Sequence, residues 1–206
     1  MKKLNLYLSE KLQINSESGK YKYHPRDKAE LRTLLRKLKM IRGNDADFND
    51  IDISSFTDLS YLFNSTAFKD LHNIDISAWD VSNVTDMALM FEGCKNINPD
   101  LRKWDVSNVI DMREMFSGCY EFKGKGLGEW DTKNVKHIHH MFSNCKKFNE
   151  DLSKWDVSNI KHFNRVFYGC KSLNQNFSKW DVSNGIDFSG MFSGCTAMKN
   201  IPKWPK

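Results

Sequence analysis

Large apolar residues return along this chain at a nearly constant interval. Successive tryptophans are 25, 26, 25 and 25 residues apart, and a series of cysteines follows with the same steps. The tryptophans are Trp79, Trp104, Trp130, Trp155 and Trp180, and the cysteines are Cys94, Cys119, Cys145, Cys170 and Cys195. Self-similarity at a fixed period of this length is typical of proteins built from stacked structural repeats. We therefore expect most of these residues to serve the stacking of one repeat on the next.

Each repeat contains an alternation that predicts a β-strand. In the clearest copy Leu152, Trp155 and Val157 fall on one side. Lys154 and Asp156 fall on the other side. Side chains alternate between the two faces of a strand, so the tryptophan and the valine would share the buried face. The spacing also matches the L-x-x-L-x-L pattern of leucine-rich repeats.

A second apolar pattern in each repeat predicts a short helix. Val109, Met112, Met115 and Phe116 are spaced as one stripe of an α-helix. Asn108 precedes the stripe and would cap the start of the helix. A glycine or asparagine recurs where the stripe stops, as a left-handed C-terminal cap requires. These residues are Gly93, Gly118, Asn144, Gly169 and Gly194.

Together the patterns predict an α/β repeat fold, a leucine-rich-repeat-like solenoid of strand-turn-helix units. One unit cannot bury its apolar side alone, so stacked units would share a continuous core. We assign residues 49–206 to this repeat array, which ends in a proline-rich cap unsuited to pairing with a further strand. Residues 1–48 would form an N-terminal cap, with a short strand at residues 4–8 and a helix after Pro25.

The repeat motif resembles a known family. The run WDVSNVTDM at residues 79–87 continues as MFEGC at residues 90–94, and related runs extend from Asn49 to Trp204. This motif resembles the BspA-like leucine-rich repeats of bacterial surface proteins, which are also grouped as a domain of unknown function in mycoplasma lipoproteins. The resemblance implies a right-handed solenoid and a role in adhesion or protein binding. It brings no catalytic residues with it.

Charge and hydropathy add information about compartment. The formal net charge of +5 arises in residues 1–50, which hold 12 Lys and Arg against 7 Asp and Glu. No apolar run approaches the roughly 18 residues of a membrane span, and the N-terminus has no signal-peptide pattern. As written, the chain is predicted to be cytoplasmic. A surface or secreted location is the alternative that the family resemblance suggests.

The positive charge of the N-terminal segment has two interpretations. Arg32, Arg36 and Lys39 lie on the helix predicted after Pro25, beside its leucine stripe. The favoured interpretation is a cap over the first repeat with its basic side chains in solvent. The other is a basic helix that contacts nucleic acid or an acidic protein. Nucleic acid is the less favoured partner, because the chain has no nucleic-acid-binding motif.

The outward side of the predicted strands carries a row of charges, which we name the aspartate face. It consists of Asp80, Asp105, Asp131, Asp156 and Asp181 with Lys103, Lys154 and Lys179. The lysines would offset the repulsion between carboxylates one repeat apart. These carboxylates either form a solvated face and accept neighbouring backbone N–H groups, or recognise a protein partner. Calcium binding is the least favoured alternative, since lysines compete and no calcium-loop motif is present.

The remaining reactive residue types do not predict chemistry. The cysteine spacing is the repeat period rather than C-x-x-C, which favours buried thiols over zinc sites or disulfides. His137 and His162 occupy the same place in consecutive repeats, and we predict lowered histidine pKa values at a helix start. Two neighbouring imidazoles without a third ligand make a poor metal site. We predict no metal, no cofactor and no enzymatic activity.

The function that the sequence favours is non-catalytic protein binding, adhesin-like by resemblance. The aspartate face and the longer connection at residues 121–129, which holds three glycines, are the expected binding surfaces. The alternative is a small intracellular inhibitor or effector-type binder from a mobile element or phage. Nucleic-acid binding through the basic helix is third. The partner's identity and the oligomeric state are left open.

Overall fold

The computed structural model describes residues 21–64 and 66–204, and the strand predicted at residues 4–8 lies outside them. The described part contains one α-helix, α1, at Lys28–Arg42. Two short 3-10 turns lie at Thr66–Phe68 and Leu127–Glu129. Successive repeats are joined by isolated parallel bridges, including Asp58 to Asp86, Asp86 to Asp111 and Asp111 to His137. We name each repeat by the residue at its tryptophan place, from the Ile51 repeat to the Trp180 repeat.

Helix α1 lies where the leucine stripe predicted a helix. The Asp27 side chain caps its start by accepting a hydrogen bond from the backbone N–H of Glu30. Gly43, with φ of 82°, ends the helix and donates its N–H to the Lys39 carbonyl. The buried stripe consists of Leu31, Leu34, Leu35 and Leu38. These leucines belong to the same core as the repeats, so α1 packs against the end of the array.

The predicted fold class, a solenoid of strand-turn-helix units, is wrong. Within residues 21–64 and 66–204 the repeats form neither α-helices nor a sheet. Each repeat is a succession of turns tied to its neighbours by hydrogen bonds. The physical reasons differ for the two elements that the sequence predicted.

The helix does not form because one residue in its middle is left-handed. Glu114 has φ of 54°, and residues at the same place in the other repeats are also left-handed. They are Tyr61, Leu89, His140, Arg165 and Gly190. The backbone N–H groups then find two kinds of acceptor. Those of Met112 and Glu114 donate to carbonyls of the next repeat, whereas that of Met115 donates to the Met112 carbonyl in its own repeat. The apolar spacing therefore arises from turns. Gly118 is left-handed as predicted, but it ends a turn.

The sheet does not form because side chains join the repeats where strands were predicted. The Trp155 indole N–H donates to the Leu127 carbonyl of the preceding repeat at 2.7 Å. The Asn159 side-chain amide donates to the Lys133 carbonyl at 2.8 Å. The tryptophan bond recurs from Trp79 to Trp180, and the asparagine bond recurs at Asn83, Asn108, Asn134 and Asn184. The asparagine that the sequence assigned to a helix start thus joins neighbouring repeats through its side-chain hydrogen bond.

Aromatic stacks run through the core along the direction of stacking. The phenylalanine stack has centroid separations from 5.2 Å, between Phe63 and Phe91, to 5.9 Å, between Phe116 and Phe142. A second stack joins Trp130, Trp155, Trp180 and Trp204 at 6.4 Å per step. Ring pairs at such distances add to the stabilisation from burying apolar area. The repeats therefore share one continuous core.

Replacing Trp155 with alanine is expected to destabilise the protein by about 3–5 kcal/mol. The substitution removes a buried ring stacked on both sides and the indole bond to Leu127. Urea unfolding would measure the loss. Trp204→Ala is the control, since Trp204 is only partly buried at the end of the stack and its loss should cost less. An unfolding midpoint unchanged by Trp155→Ala would contradict the stacking.

Candidate functional site

The aspartate face lies on the surface as predicted, and each of its carboxylates closes a local turn. All five aspartates are exposed and lie one repeat apart. Each accepts the backbone N–H of the residue two positions later at 3.0 to 3.2 Å. The donors are Ser82, Ser107, Lys133, Ser158 and Ser183. Such turns fix the direction of a short acidic side chain. The aspartates therefore have a structural role whether or not they bind a partner.

Two of these carboxylates have clearly lowered pKa values. A hydrogen bond from the Lys133 ammonium, 2.8 Å away, lowers the pKa of Asp131. Hydrogen bonds from Ser183 lower the pKa of Asp181. Stabilising the charged form of a carboxylate in this way keeps it ionised at neutral pH.

The predicted lysines do not pair with the aspartates of this face. Lys154 bonds to Glu129 at 2.6 Å instead. Lys103 and Lys179 are exposed and form no ion pair in the part of the chain that the structure describes. The Lys133 ammonium, which the sequence did not single out, bonds to Asp131 of the face. The carboxylates of the aspartate face are therefore held chiefly by their local turns and not by the predicted lysines.

The connection at residues 121–129 is packed between repeats. Its glycines, Gly124, Gly126 and Gly128, are buried. A Cβ added at Gly124 would lie 2.4 Å from the Phe148 ring, and one at Gly126 would lie 2.5 Å from the backbone N of Arg102. These glycines permit close packing, and the exposed residues of the connection are Glu121, Lys123, Lys125 and Glu129. In the connection that the sequence predicted as a binding surface, the three glycines therefore serve packing between repeats.

The cysteines form a row of buried thiols, as the sequence predicted. All five are free, and each thiol donates to a phenylalanine carbonyl of the preceding repeat. Burial raises the pKa of Cys94 to about 12 and that of Cys195 to about 11. The pKa values of Cys119, Cys145 and Cys170 lie well above the usual range for the same reason. The thiols remain protonated and serve as hydrogen-bond donors between repeats.

The two histidines that the sequence singled out take part in backbone bridges between repeats. His137 bridges to Asp111, and His162 bridges to Asp187, through their backbones. The pKa of His139 is lowered, first by burial and then by the neighbouring His140. No helix start exists at these positions, so the physical reason given for lowered histidine pKa values does not apply. Among the described residues no group of three or more His, Cys, Asp and Glu side chains could hold a metal ion.

The basic helix α1 uses most of its charge to cover the Ile51 repeat. Lys28 donates to the Ser60 carbonyl at 3.2 Å, and Arg32 donates to the Asn64 carbonyl at 3.4 Å. In inner repeats the carbonyls at these two places accept backbone N–H groups from the preceding repeat. Cationic side chains of α1 therefore donate to the Ile51 repeat where a preceding repeat donates to each inner repeat. Ion pairs also tie Lys39 to Asp70, and Arg42 to Asp50.

Of the three predicted basic residues of the cap, Arg36 alone is exposed. Arg32 and Lys39 are half-buried and bonded to the repeat array. This arrangement fits the cap interpretation and leaves little free cationic surface on α1. The domain boundary at residue 48 stays a prediction. Asp47 already bridges to Asp75, so pairing with the next repeat begins before that boundary.

The five thiols are expected to resist a thiol reagent in the folded protein at about pH 8, since the reagent attacks thiolates. Denaturation should expose all five. Cys195, which is 7% exposed in the last repeat, should react first on partial opening. Labelling followed by mass spectrometry measures the order. Rapid labelling of Cys119 or Cys145 in the native protein would contradict the burial.

Replacing Lys28 with methionine should destabilise the protein by about 1–2 kcal/mol, because it removes the donor to Ser60 and leaves a partly buried carbonyl unsatisfied. Arg36→Met is the matched control on the same helix and should stay within about 0.5 kcal/mol of wild type. Denaturant unfolding compares the two. Equal effects would show that the cap does not depend on the Lys28 contact.

Comparison with known proteins gives a family and no function. Residues 30–126 and 115–205 match the model of a family described as Mycoplasma protein of unknown function, DUF285. The match agrees with the mycoplasma part of the resemblance and carries no leucine-rich-repeat or surface-protein name. Searches of curated proteins and of solved structures found no match. No helix in the described ranges is long and apolar enough to cross a bilayer. Because the two matches together span most of its length, the chain belongs to the DUF285 family of mycoplasma proteins of unknown function.

Proposed function

We propose that this protein is a non-catalytic binding module that recognises another protein through the aspartate face. The observation that carries the proposal is the row of five exposed aspartates, one per repeat, each held by a backbone hydrogen bond. The fitting partner presents lysine or arginine side chains at a similar interval. Complementary charges across such a surface give specificity and speed association.

The local turns favour binding because they fix the carboxylates in advance. Asp105 uses one oxygen, Oδ1, to bond the Ser107 N–H, and Asp156 uses the same oxygen for both groups of Ser158. A partner cation then meets a side chain that has already lost much of its freedom, so less entropy is lost on binding. Stacking keeps the interval between carboxylates constant. A repeat array of this kind offers an extended surface.

The absence of catalysis is part of the same proposal. Among the described residues, the carboxylates with lowered pKa values belong to turns and ion pairs, and the thiols with raised pKa values are buried donors. Such arrangements support a fold. We further propose adhesin-like binding, which rests on the resemblance of the repeats to bacterial surface proteins.

Asparagine variants test the aspartate face without breaking its turns. Asp105, Asp131 and Asp156 would be changed together to asparagine, which keeps the Oδ1 acceptor and removes the charge. The control carries the same change at Asp75, Asp86 and Asp151, which accept similar turn hydrogen bonds elsewhere in the repeats. Both tagged variants and wild type would capture proteins from separated envelope and soluble fractions of the source cells.

We expect a basic protein that wild type and control retain, and that the face variant loses by tenfold or more, about 1.4 kcal/mol. Recovery of that protein from the envelope fraction would support adhesin-like binding. Equal capture by the face variant and the control would refute recognition by the aspartate face. Thermal unfolding of all three proteins would check that the variants remain folded.

A further inference from the structure

The Trp180 repeat carries a row of backbone donors on the side that faces away from the Trp155 repeat. In the Trp155 repeat, the N–H groups of Phe163, Arg165, Phe167 and Gly169 donate to carbonyls of the Trp180 repeat at 2.7 to 3.0 Å. The corresponding groups of the last repeat belong to Phe188, Gly190, Phe192 and Gly194. None of these four N–H groups has an acceptor within residues 21–64 and 66–204.

Apolar side chains surround these donors. Ile186 is 70% exposed and Ile201 is 57% exposed, while Phe188 and Phe192 are half-buried. A cavity of about 650 Å³ lies between the segment 186–193 and the chain end. Its far wall includes Trp204, which stacks on Trp180. We name this surface, formed by residues 186–194, Ile201, Pro202 and Trp204, the C-terminal edge.

The preceding repeat shows what fits such an edge. There the segment 187–193 runs parallel to the segment 163–169 and presents the carbonyls of every second residue, from Asp187 to Ser193. It also places Phe188 on Phe163 at 5.1 Å and Phe192 on Phe167 at 5.7 Å. An occupant of the C-terminal edge therefore needs carbonyls at alternate residues and aromatic or aliphatic side chains between them.

A second copy of the chain does not meet this requirement. Two C-terminal edges placed against each other would set N–H groups against N–H groups. The matching carbonyl edge lies at the other end of the array, in the Ile51 repeat, where Lys28 and Arg32 of α1 already donate to it. Head-to-tail stacking would have to displace that helix.

We propose that the C-terminal edge binds a repeat-like segment of a different polypeptide, which adds to the array in parallel as one further unit. The partner supplies carbonyl oxygens to the four N–H groups and covers the apolar cavity with its own side chains. Adding a segment to an exposed backbone edge is an established mode of peptide recognition. The inference goes beyond the aspartate face, because it uses the end of the array and backbone groups.

A peptide copied from the chain is the probe. It has the sequence of residues 180–198, with serine replacing Cys195, and contains the segment that already packs on the preceding repeat. Amide hydrogen exchange of the full protein would be followed by NMR with and without this peptide. A scrambled peptide is the control for non-specific binding. The amides of Phe163, Arg165, Phe167 and Gly169 report whether the fold is intact.

Matched protein variants locate the peptide. Ile186→Asp puts a charge at the mouth of the C-terminal edge. Ile110→Asp makes the same change at the same place of an inner repeat, whose edge is covered. Ile110 is also partly exposed, at 39%, so the control is comparable.

We expect the peptide to slow exchange of the Phe188, Gly190, Phe192 and Gly194 amides by at least about tenfold in wild type and in Ile110→Asp, because bonded amides are protected. Ile186→Asp should abolish the effect. Unchanged exchange at saturating peptide, or protection at other sites only, would overturn the proposal. Protection that rises with protein concentration without peptide would also overturn it, by showing that a second copy occupies the edge. Asparagine changes in the aspartate face should leave peptide binding unaffected.

Discussion

Every second backbone N–H in the segment from Met112 to Gly118 donates to a carbonyl of the next repeat. The rest of the structure depends on these hydrogen bonds between neighbouring repeats, because a buried backbone group without a partner is costly. A single repeat leaves half of these donors unsatisfied and exposes its aromatic rings. The left-handed residues, such as Glu114, orient alternate N–H groups towards the neighbour. Stacking is therefore the condition under which each repeat can fold, and side-chain bonds from tryptophan, asparagine and cysteine reinforce it.

Because these hydrogen bonds all run in one direction along the array, its two ends are chemically different. Carbonyl groups face the N-terminal end, and N–H groups face the C-terminal end. At the first end, α1 supplies the Lys28 and Arg32 side chains as donors to these carbonyls. At the second end, Trp204 continues the tryptophan stack, and four backbone donors of the Trp180 repeat have no acceptor among the described residues. The aspartates between the ends close turns and carry their charge outwards, so the proposed binding role would use carboxylates that also stabilise the fold.

Part of the candidate site could be read from the sequence. The regular spacing correctly placed the aspartates outside and the cysteines inside, since a residue type that recurs at one phase meets the same environment in each stacked unit. The ion pairs could not be read, because Lys154 reaches Glu129 of the preceding repeat, and only the stacking distance decides that contact. The sequence also did not predict the cap contacts of Lys28 and Arg32. These side chains donate to backbone carbonyls, in the place of backbone N–H groups.

The sequence by itself determined the repeat period, the buried positions, the left-handed place of Gly118 and the helix of the cap. These follow from hydrophobic periodicity and from local backbone preferences. Tertiary structure alone decided that Met112, Met115 and Phe116 lie on turns instead of a helix, and that Trp155 replaces a strand bond with its indole N–H. The physical reason is that apolar spacing reports which side chains are buried. It does not report which partner each backbone N–H finds, and here that partner lies about 25 residues away, in the adjacent repeat.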